Sequence, residues 1–243
     1  MKTVSIFGGT GFIGSELIDH LAKKRININV FTRKSSKAEK FNDLPRVKII
    51  EINQSVDISE LLKDSDIVIN LVGILHETKS LKFSSVHKDW VNKIAKAAKK
   101  ENISHFIHLG ALQSTKYAPS RYLKSKYEAE EEIKKILKKQ PWTILRPSIV
   151  YGPNDNFINL FIKMIKFLPI FFLISPKAKF QPINVDDFVE IIIKVMDSKK
   201  SYKRILNIAG PKVFTFLEII KLIKKSFNKK NIIIPLNKTF TIF

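Results

Sequence analysis

Apolar residues follow two different spacings along the chain. Short unbroken apolar runs occur at intervals, and between them apolar residues recur every third or fourth position, as in Ile13, Leu17 and Leu21. The runs are typical of strands buried on both faces of a parallel sheet, and the wider spacing is typical of amphipathic helices. The predicted strands are Met1–Phe7, Ile28–Phe31, Val47–Ile52, Asp66–Gly73, Ser104–Leu109 and Trp142–Arg146. Because strands and helices alternate, the sequence predicts an α/β fold with a doubly wound parallel sheet.

The last third of the chain is less regular. It contains an amphipathic stretch at 156–168, a helix that begins near Asp186 and a strand at Ile205–Ile208. A further helix is predicted after Thr215, with Glu218 completing a capping box. We therefore predict a core at residues 1–153 and a small, shortened C-terminal lobe at 154–243, whose elements return to the core so that both form one structural unit.

A glycine-rich turn joins the first strand directly to the first helix. Strand, Gly-x-x-Gly-x-x-Gly and helix in this order are typical of a Rossmann-type dinucleotide site. Gly8 permits the tight turn, Gly11 lets the backbone approach a pyrophosphate, and Gly14 lets the helix pack close to the strand. The helix N-terminus then presents its free N–H groups to the phosphates. The predicted cofactor contacts in the turn are Gly8, Thr10, Gly11, Phe12, Ile13 and Gly14.

The residues that follow the second strand bear on which dinucleotide is bound. A site selective for NAD usually places an acidic residue there to hold the ribose 2′-hydroxyl. This chain has Arg33 and Lys34 instead. Because a guanidinium suits a 2′-phosphate, the sequence favours NADP(H) over NAD(H). The alternative is one more basic loop in a basic protein.

Two further places are predicted to line the cofactor. Asp57 stands before a short helix with Glu60 three residues later, so it caps that helix, contacts the adenine edge, or does both. The fourth strand ends at Leu71, Val72 and Gly73. A glycine at the carboxyl end of a strand lets the backbone pass close to a bound cofactor.

Tyr122 and Lys126 are the candidate catalytic pair, and both are also predicted cofactor contacts. They are four residues apart on a predicted helix and therefore share a face. A nearby lysine favours the phenolate form of a tyrosine. Such a tyrosine can transfer a proton while hydride moves to or from a nicotinamide. The spacing gains weight from its place after the fifth strand, at the ligand-binding edge of the predicted sheet.

The chain resembles the short-chain dehydrogenase/reductase superfamily in its extended and atypical, NAD-dependent epimerase-like branches. The resemblance runs from residue 1 to about residue 235 and implies the Rossmann-type fold. It also implies that Leu145–Pro153 lies beside the nicotinamide, with Pro147 among the cofactor contacts. The matching segments are the glycine turn, the pair Tyr122 and Lys126, Leu145–Pro153 and Phe180–Asp187.

Within this superfamily, the chain is most similar to the NAD(P)H-binding accessory subunit of respiratory complex I, an NADH-ubiquinone oxidoreductase, and its bacterial relatives. The segments that carry this resemblance are Ile69–Leu75, Ser120–Tyr122 and Phe157–Ile174. It implies NADPH binding, a link to ubiquinone metabolism and little or no catalysis.

The chain departs from the superfamily at its catalytic hydroxyl. That hydroxyl is expected at the end of the fifth strand, where the sequence reads Leu109-Gly110-Ala111. We predict that Gly110 occupies its place, and losing one preorganised donor costs roughly 10²–10³ in rate. Ser114 is a tentative substitute if the loop folds back.

Composition limits the other possibilities. The net charge is +21, but the lysines are scattered over helix faces and no recognition motif accompanies them, so nucleic acid is not an expected partner. There are no cysteines, which excludes disulfides and thiolate metal sites. His76, His105 and His108 show no metal-ligand spacing with nearby carboxylates, and no metal site is predicted.

The segment 157–174 is apolar but contains lysines and a central proline, Pro169. It does not meet the requirement for a membrane span, and it predicts an interfacial or buried segment. The N-terminal apolar run is too short for a signal peptide. We therefore expect a cytoplasmic protein, peripheral at the inner face of the cytoplasmic or mitochondrial inner membrane, with complex I or the membrane surface as partner through 157–174.

Two functional hypotheses stay open on the sequence. In the first, the chain is an NAD(P)H-binding accessory or assembly factor of complex I or quinone metabolism with a weak or absent active site. In the second, it is an active NADP-dependent reductase, or a nucleotide-sugar epimerase or dehydratase, that uses Tyr122 and Lys126.

Overall fold

A computed structural model describes residues 1–53 and 56–236 of the chain. The strands are β1 Thr3–Phe7, β2 Asn27–Thr32, β3 Val47–Glu51, β4 Ile67–Asn70, β5 His105–Leu109, β6 Trp142–Pro147, β7 Val150–Tyr151, β8 Ile170–Ile174, β9 Lys179–Phe180, β10 Ile183–Asn184, β11 Arg204–Ile208, β12 Phe214–Thr215 and β13 Ile232–Leu236. The helices are α1 Phe12–Ala22, α2 Ile58–Leu62, α3 Trp90–Lys100, α4 Arg121–Ile136, α5 Ile158–Phe167, α6 Val185–Asp197 and α7 Phe216–Ser226. A π-helical turn, Ser84–Asp89, leads into α3.

A seven-stranded parallel sheet forms the centre of the fold. Its strand order is β11-β6-β5-β4-β1-β2-β3, and β1 pairs with both β2 and β4. The order reverses direction at β1, which is the arrangement of a doubly wound Rossmann sheet. The predicted fold class is confirmed. Because all the strands are parallel, their carboxyl ends meet at one edge, where ligands bind in such sheets.

Apolar side chains from strands and helices pack together against this sheet. Phe7 and Phe31 are almost fully buried, and their rings stack with centroids 4.5 Å apart. Val91 and Ile94 of α3 are fully buried in the same cluster. Each such side chain contributes about 1.5–3 kcal/mol of hydrophobic stabilisation. The apolar face of α3 therefore packs in the core.

The chain divides into two compact units. Unit 1 comprises residues 1–147 and 186–208 and contains the parallel sheet. Unit 2 comprises residues 148–185 and 209–243 and contains three two-stranded sheets, β7 with β10, β9 with β12 and β8 with β13. The end of the predicted C-terminal lobe, 237–243, lies outside the described residues. The predicted boundary at residue 153 stays a prediction.

Unit 2 has its own apolar core and one exposed apolar face. Strand β8 alternates, so that Phe171 and Leu173 are buried while Ile170, Phe172 and Ile174 are 44%, 60% and 49% exposed. The buried members pack with residues of α5 and α7, among them Ile165 and Ile220. Alternation of this kind is what a strand with one covered face requires.

The segment 157–174 is a helix, α5, and a strand, β8, separated by a turn that contains Pro169. Among the described residues, no helix is long and apolar enough to cross a membrane. Helix α7 begins with the capping box that the sequence predicts, in which Thr215 and Glu218 exchange hydrogen bonds. That prediction is confirmed.

Candidate functional site

The glycine turn between β1 and α1 has the geometry that its sequence predicts. Gly8 has φ +83°, in the left-handed region that favours glycine. A Cβ at Gly14 would lie 2.3 Å from the carbonyl oxygen of Gly8, so α1 can approach the turn only without a side chain there. In the described part of the chain, a Cβ at Gly11 would meet only the Gly8 oxygen, at 3.3 Å. The space beside Gly11 is therefore open to a ligand.

Helix α1 begins without a side-chain cap. Its N-cap residue is Gly11, and its first turn contains no acidic residue. The first N–H groups of a helix have no partner within the helix, and they lie at the positive end of its dipole. An anion such as a pyrophosphate can supply the missing acceptors. Thr10, Phe12 and Ile13, the other predicted contacts in the turn, are partly exposed around Gly11.

The residues that follow β4 lie directly against the glycine turn. A Cβ at Gly8 would be 2.9 Å from both the carbonyl carbon of Leu71 and the backbone nitrogen of Val72. Leu71 also donates its N–H to the carbonyl of Phe7 at 2.9 Å. The structure thus brings Leu71 and Val72 beside the turn, as the predicted cofactor site requires.

The loop after β2 is held by hydrogen bonds and exposes its basic residues. The Thr32 hydroxyl donates to the carbonyl of Lys34 at 3.0 Å, and the Glu51 carboxylate accepts the N–H of Ser35 at 2.9 Å. Hydrogen bonds from Ser35 lower the pKa of Glu51. Arg33 and Lys34 are exposed, and neither forms an ion pair with residues 1–53 or 56–236. The Arg33 guanidinium is therefore available to an anion.

Asp57 is a helix cap. Its carboxylate accepts the N–H of Ser59 at 2.8 Å, and this bond is the chief reason why its pKa is lowered. The second carboxylate oxygen lies 3.6 Å from the ammonium of Lys100. The cap is confirmed, although Glu60, the predicted partner in the box, pairs with Lys63. Contact between Asp57 and adenine stays a prediction.

Tyr122 lies in the first turn of α4, which the Ser120 side chain caps by accepting the N–H of Leu123. Its ring packs edge-on against His87 and Phe83, with centroid distances of 5.6 and 5.9 Å. Burial raises the pKa of Tyr122. A raised pKa means that the neutral phenol is favoured, and the effect of Lys126 on the phenolate stays a prediction.

Lys126 is only 3% exposed and is held at the carboxyl edge of the sheet. Its ammonium donates to the carbonyl of Leu109 at 3.0 Å. A Cβ at Gly73 would lie 3.1 Å from the lysine nitrogen, so Gly73 leaves the room that this side chain occupies. Burial lowers the pKa of Lys126 to about 8, although Glu130 acts in the opposite direction. Lys126 thus carries its charge at neutral pH.

His87 connects three elements around this edge. One ring nitrogen, Nε2, accepts the N–H of Ile74 at 3.0 Å, and Nδ1 lies 2.8 Å from the hydroxyl of Ser125. Because Nε2 accepts, the proton lies on Nδ1. Burial, and then the charge of Lys126, lower the pKa of His87 to about 3. His87, neutral and hydrogen-bonded at both ring nitrogens, therefore has a structural role.

Gly110 lies just after β5, where the sequence predicts it. A Cβ at this position would lie 2.5 Å from a carboxylate oxygen of Glu130 and 3.2 Å from Cγ of Arg146. A side chain at 110 would therefore point towards a buried ion pair. That Gly110 stands where the superfamily has its catalytic hydroxyl stays a prediction. The next residue, Ala111, has no hydroxyl either.

Ser114, the tentative substitute, is fully buried. Its hydroxyl lies 2.8 Å from the carbonyl of Ala111 and 2.9 Å from the Glu130 carboxylate. A hydroxyl held in this way cannot polarise a substrate carbonyl, so the catalytic role predicted for Ser114 is contradicted by its burial. Pro147, predicted beside the nicotinamide, is half-buried at the end of β6, and its carbonyl accepts the N–H of Leu112 at 3.3 Å.

The sequence reasoning missed the buried partner of this region, Glu130. Its carboxylate is fully buried and accepts the Arg146 Nε–H at 3.0 and 3.1 Å as well as the hydroxyl of Ser114. One signal was visible, because Glu130 follows Lys126 by four residues and so lies on the same helix face. Its partner on β6 could not be identified from spacing.

Comparison with known proteins places the chain among nucleotide-binding folds. Residues 8–157 match a family model described as NAD(P)H-binding. Over 98% of its length, the chain is 29% identical to a mitochondrial NADH dehydrogenase [ubiquinone] 1 alpha subcomplex subunit 9 from Dictyostelium discoideum. It is 30% identical to the Arabidopsis thaliana protein of the same name over 90% of its length. The chain spans 68% of the first relative and 56% of the second.

Solved structures with the same fold include a nucleotide-sugar enzyme. The UDP-glucuronic acid 4-epimerase from Bacillus cereus, in complex with NAD, has a TM-score of 0.84 and 23% sequence identity. The match covers 98% of this chain and 87% of the epimerase. At this level of identity, the likeness shows the fold alone.

Proposed function

This chain belongs to a family of NAD(P)H-binding domains, and from that premise we propose that it holds a nicotinamide dinucleotide as an accessory protein and does not turn over a substrate. The partner would be respiratory complex I or an enzyme of quinone metabolism. The cofactor would be bound by the glycine turn and the ends of β2 and β4. Bound there, a dinucleotide supplies hydride chemistry in enzymes, and here it would supply stability or a redox-dependent signal.

The observation that carries this proposal is a contrast at the carboxyl edge of the sheet, between the groups that would bind a dinucleotide and the groups that would catalyse a reaction. The binding side is intact, because Gly11 is open and α1 has a free N-terminus. On the catalytic side, burial raises the pKa of Tyr122, and the hydroxyl of Ser114 is buried. A proton-transfer group needs a pKa near the working pH and a donor that polarises the substrate. Neither requirement is supported here.

The named relatives give the proposed partner. Both relatives described above are subunits of a mitochondrial NADH dehydrogenase. Because this chain matches only part of each, its association with such a complex is our inference. We propose a location at the inner face of the membrane that carries the complex.

Unit 2 supplies a surface suited to that location. It contains eleven lysines and two carboxylates, Asp155 and Glu218, a net charge of +9. Asp155 is buried and accepts the N–H groups of Phe157 and Ile158, while Glu218 serves the cap of α7. Both carboxylates are therefore occupied internally. Exposed apolar residues beside uncompensated lysines suit an anionic membrane surface or the membrane arm of a complex.

We also propose that the site prefers NADP(H) to NAD(H). The support is the exposed guanidinium of Arg33 at the end of β2. We predict that Arg33→Ala weakens NADPH binding about tenfold and leaves NADH binding within about twofold, because only NADPH carries the 2′-phosphate. Isothermal titration of both nucleotides into both proteins measures this. Lys37→Ala, in the next exposed turn, is the matched control, and equal loss for the two nucleotides would contradict the preference.

A pair of variants tests the accessory function itself. Gly11→Ala should weaken dinucleotide binding by about 100-fold, because its methyl group would occupy the space that a pyrophosphate needs. It should lower thermal stability only slightly, since its Cβ would meet the Gly8 oxygen at 3.3 Å and alanine is a poorer N-cap than glycine. Tyr122→Phe should leave binding unchanged. Both are measured by nucleotide titration and by thermal unfolding.

The functional readout is the level of assembled respiratory complex in a strain that carries each variant. We expect assembly to fall with Gly11→Ala and to be normal with Tyr122→Phe. Assembly that is normal in both would contradict the accessory function. Turnover of a quinone or nucleotide sugar by the wild type that is abolished by Tyr122→Phe would contradict the absence of catalysis.

The second candidate function is an active NADP-dependent reductase, or a nucleotide-sugar epimerase or dehydratase. The observation that favours it is that Tyr122 and Lys126 keep their relation on the first turns of α4, beside the carboxyl end of β5. In this function Tyr122 would move the proton, and the charge of Lys126 would orient the cofactor. Turnover of a quinone or nucleotide sugar, measured in the wild type and in Tyr122→Phe, distinguishes this catalytic function from the accessory function.

A further inference from the structure

The exposed apolar face of strand β8 continues onto its neighbour β13, which also belongs to unit 2. The two strands are parallel, and each exposed residue of β8 is paired with an apolar residue of β13. The pairs are Ile170 with Ile232, Phe172 with Ile234 and Ile174 with Leu236. Because side chains alternate along a strand, paired residues share a face, and Ile233 points the other way into the core of unit 2. The six side chains form one apolar strip of three rows.

The outer edge of β13 is protected against the addition of a further strand. Ile232 donates its N–H to the carbonyl of Pro169, so its backbone groups face β8. Backbone groups alternate in direction along a strand, and those of Ile233 and Pro235 therefore face away. Proline has no N–H, and at an edge it disfavours pairing with another chain. The apolar strip is thus available as a face, and the edge does not favour pairing with an extended peptide or a second copy.

A basic pocket adjoins one end of the apolar strip. It has a volume of about 540 Å³ and is lined by the end of α7 and by the turn into β13, with Ile232 in its wall. Its lysines are Lys221, Lys224, Lys225, Lys229 and Lys230. None of the five forms an ion pair with a residue in 1–53 or 56–236. The partial charge of a helix C-terminus, about −0.5, offsets only a small part of their charge.

Asn231 holds the basic pocket and the start of the apolar strip together. Its side-chain amide donates to the carbonyl of Ile165 at 2.7 Å and to that of Leu168. These bonds fasten the turn before β13 to the end of α5, where Phe167 is 82% exposed and Leu168 is 41% exposed. Lysines and exposed apolar side chains are therefore kept in one fixed arrangement.

This combination favours an anionic lipid bilayer as the occupant. Binding at a bilayer interface increases with apolar area and with attraction to anionic lipids, and the apolar strip and the basic pocket supply one each. The stems of lysines can lie along apolar surface while their ammonium groups reach phosphates. A stable protein interface takes about 20–30 residues from each partner, which is more than this surface provides. A bilayer needs no such matching area.

We propose that the apolar strip and the basic pocket dock this protein on an anionic lipid bilayer. The apolar strip and Phe167 would enter the boundary between headgroups and acyl chains, and the lysines would contact lipid phosphates. The inference rests on the proposed accessory function, which puts the protein beside a membrane, and it names lipid as the partner of unit 2.

The test is co-sedimentation of the full-length protein with vesicles of phosphatidylcholine, prepared with and without phosphatidylglycerol. We expect binding to be at least about 100-fold stronger with phosphatidylglycerol, because the lysines act on anionic headgroups. Phe172→Ser should weaken it about tenfold, since it removes an apolar side chain that is 60% exposed. Replacing Lys229 and Lys230 together by glutamine should weaken it about 25-fold, as each lysine at an anionic surface contributes about fivefold.

Each variant has a matched control. Val213→Ser removes an apolar side chain that is 51% exposed just before β12, a strand of another sheet in unit 2. Replacing Lys199 and Lys200 together by glutamine removes two exposed lysines of unit 1. Both controls should bind the vesicles like the wild type. Thermal unfolding checks that every variant is folded, which we expect because all the positions are exposed.

Three results would overturn the proposal. The first is binding that is absent, or that Phe172→Ser leaves unchanged. The second is an equal loss in the control that replaces Lys199 and Lys200, which would mean diffuse attraction by net charge. The third is a dimer in sedimentation velocity that Phe172→Ser separates, which would assign the apolar strip to a second copy. Gly11→Ala should bind vesicles like the wild type, so failure of the dinucleotide site and failure of this surface are seen in different measurements.

Discussion

Replacing Glu130 by alanine is expected to lower the free energy of unfolding by about 3–5 kcal/mol. The reason is the buried ion pair behind Gly110. The Glu130 carboxylate is fully buried and accepts hydrogen bonds from Arg146 and Ser114, while the Arg146 side chain is only 16% exposed. Without Glu130, the guanidinium would be left in the protein interior without a counter-ion. Urea unfolding at pH 7 measures the loss.

Two control variants test whether the loss of stability comes from breaking the buried ion pair. Glu131→Ala removes an exposed carboxylate on the same helix, whose ion pair with Lys134 is worth little, so it should cost no more than about 0.5 kcal/mol. Replacing both Glu130 and Arg146 by methionine should recover most of the loss, because it removes both charges together. A single Glu130→Ala variant within about 1 kcal/mol of the wild type would contradict the role of the pair.

Acidification from pH 7 to pH 5 is expected to destabilise the protein by several kcal/mol. Burial lowers the pKa of His87 to about 3 and that of His105 to about 4, and it holds the pKa of His108 well below its usual value. A histidine kept neutral in this way contributes its full stability above about pH 6.5, and this is lost as the pH falls towards the folded value. Between pH 7 and pH 5, each contributes a loss of about 2 kcal/mol.

The measurement is urea unfolding at pH 7, 6 and 5. His105→Asn should flatten the dependence by about 2 kcal/mol over this range, because one titrating group is removed. His76→Asn, at an exposed histidine, should follow the wild type. Stability that is constant from pH 7 to pH 5 would contradict the prediction, because it would mean that these histidines have the same pKa in the folded protein as in the unfolded chain.

The local pattern of apolar residues was enough to predict most strands of the parallel sheet. The run at 66–73 is mostly apolar because β4, Ile67–Asn70, is buried along its whole length. The cap at Thr215 could be predicted because both of its partners lie within four residues. Strand β8 was not predicted. Its partner β13 begins at Ile232, some sixty residues later, and pairing over that distance leaves no local signal.

In the candidate site, too, local features could be predicted from the sequence, whereas contacts between distant elements could not. The glycine turn is local, so Gly8, Gly11 and Gly14 could each be assigned a role from spacing. The direction of a side chain is not local. Position 110 was correctly placed at the end of β5, but only the structure shows that it faces Glu130 of α4 and Arg146 of β6. The pKa of Tyr122 likewise depends on burial against residues of other elements, and a motif of five residues does not contain that information.

The division of unit 1 into residues 1–147 and 186–208 has a consequence for synthesis of the chain. Strand β11, at one edge of the sheet, pairs with β6 and is translated only after the whole of the unit 2 segment 148–185. Until it emerges from the ribosome, β6 is an open edge with unpaired N–H and C=O groups, which invites pairing with other chains. A polypeptide that stops at residue 153 would keep this edge, so we expect it to aggregate although it contains every residue of the glycine turn.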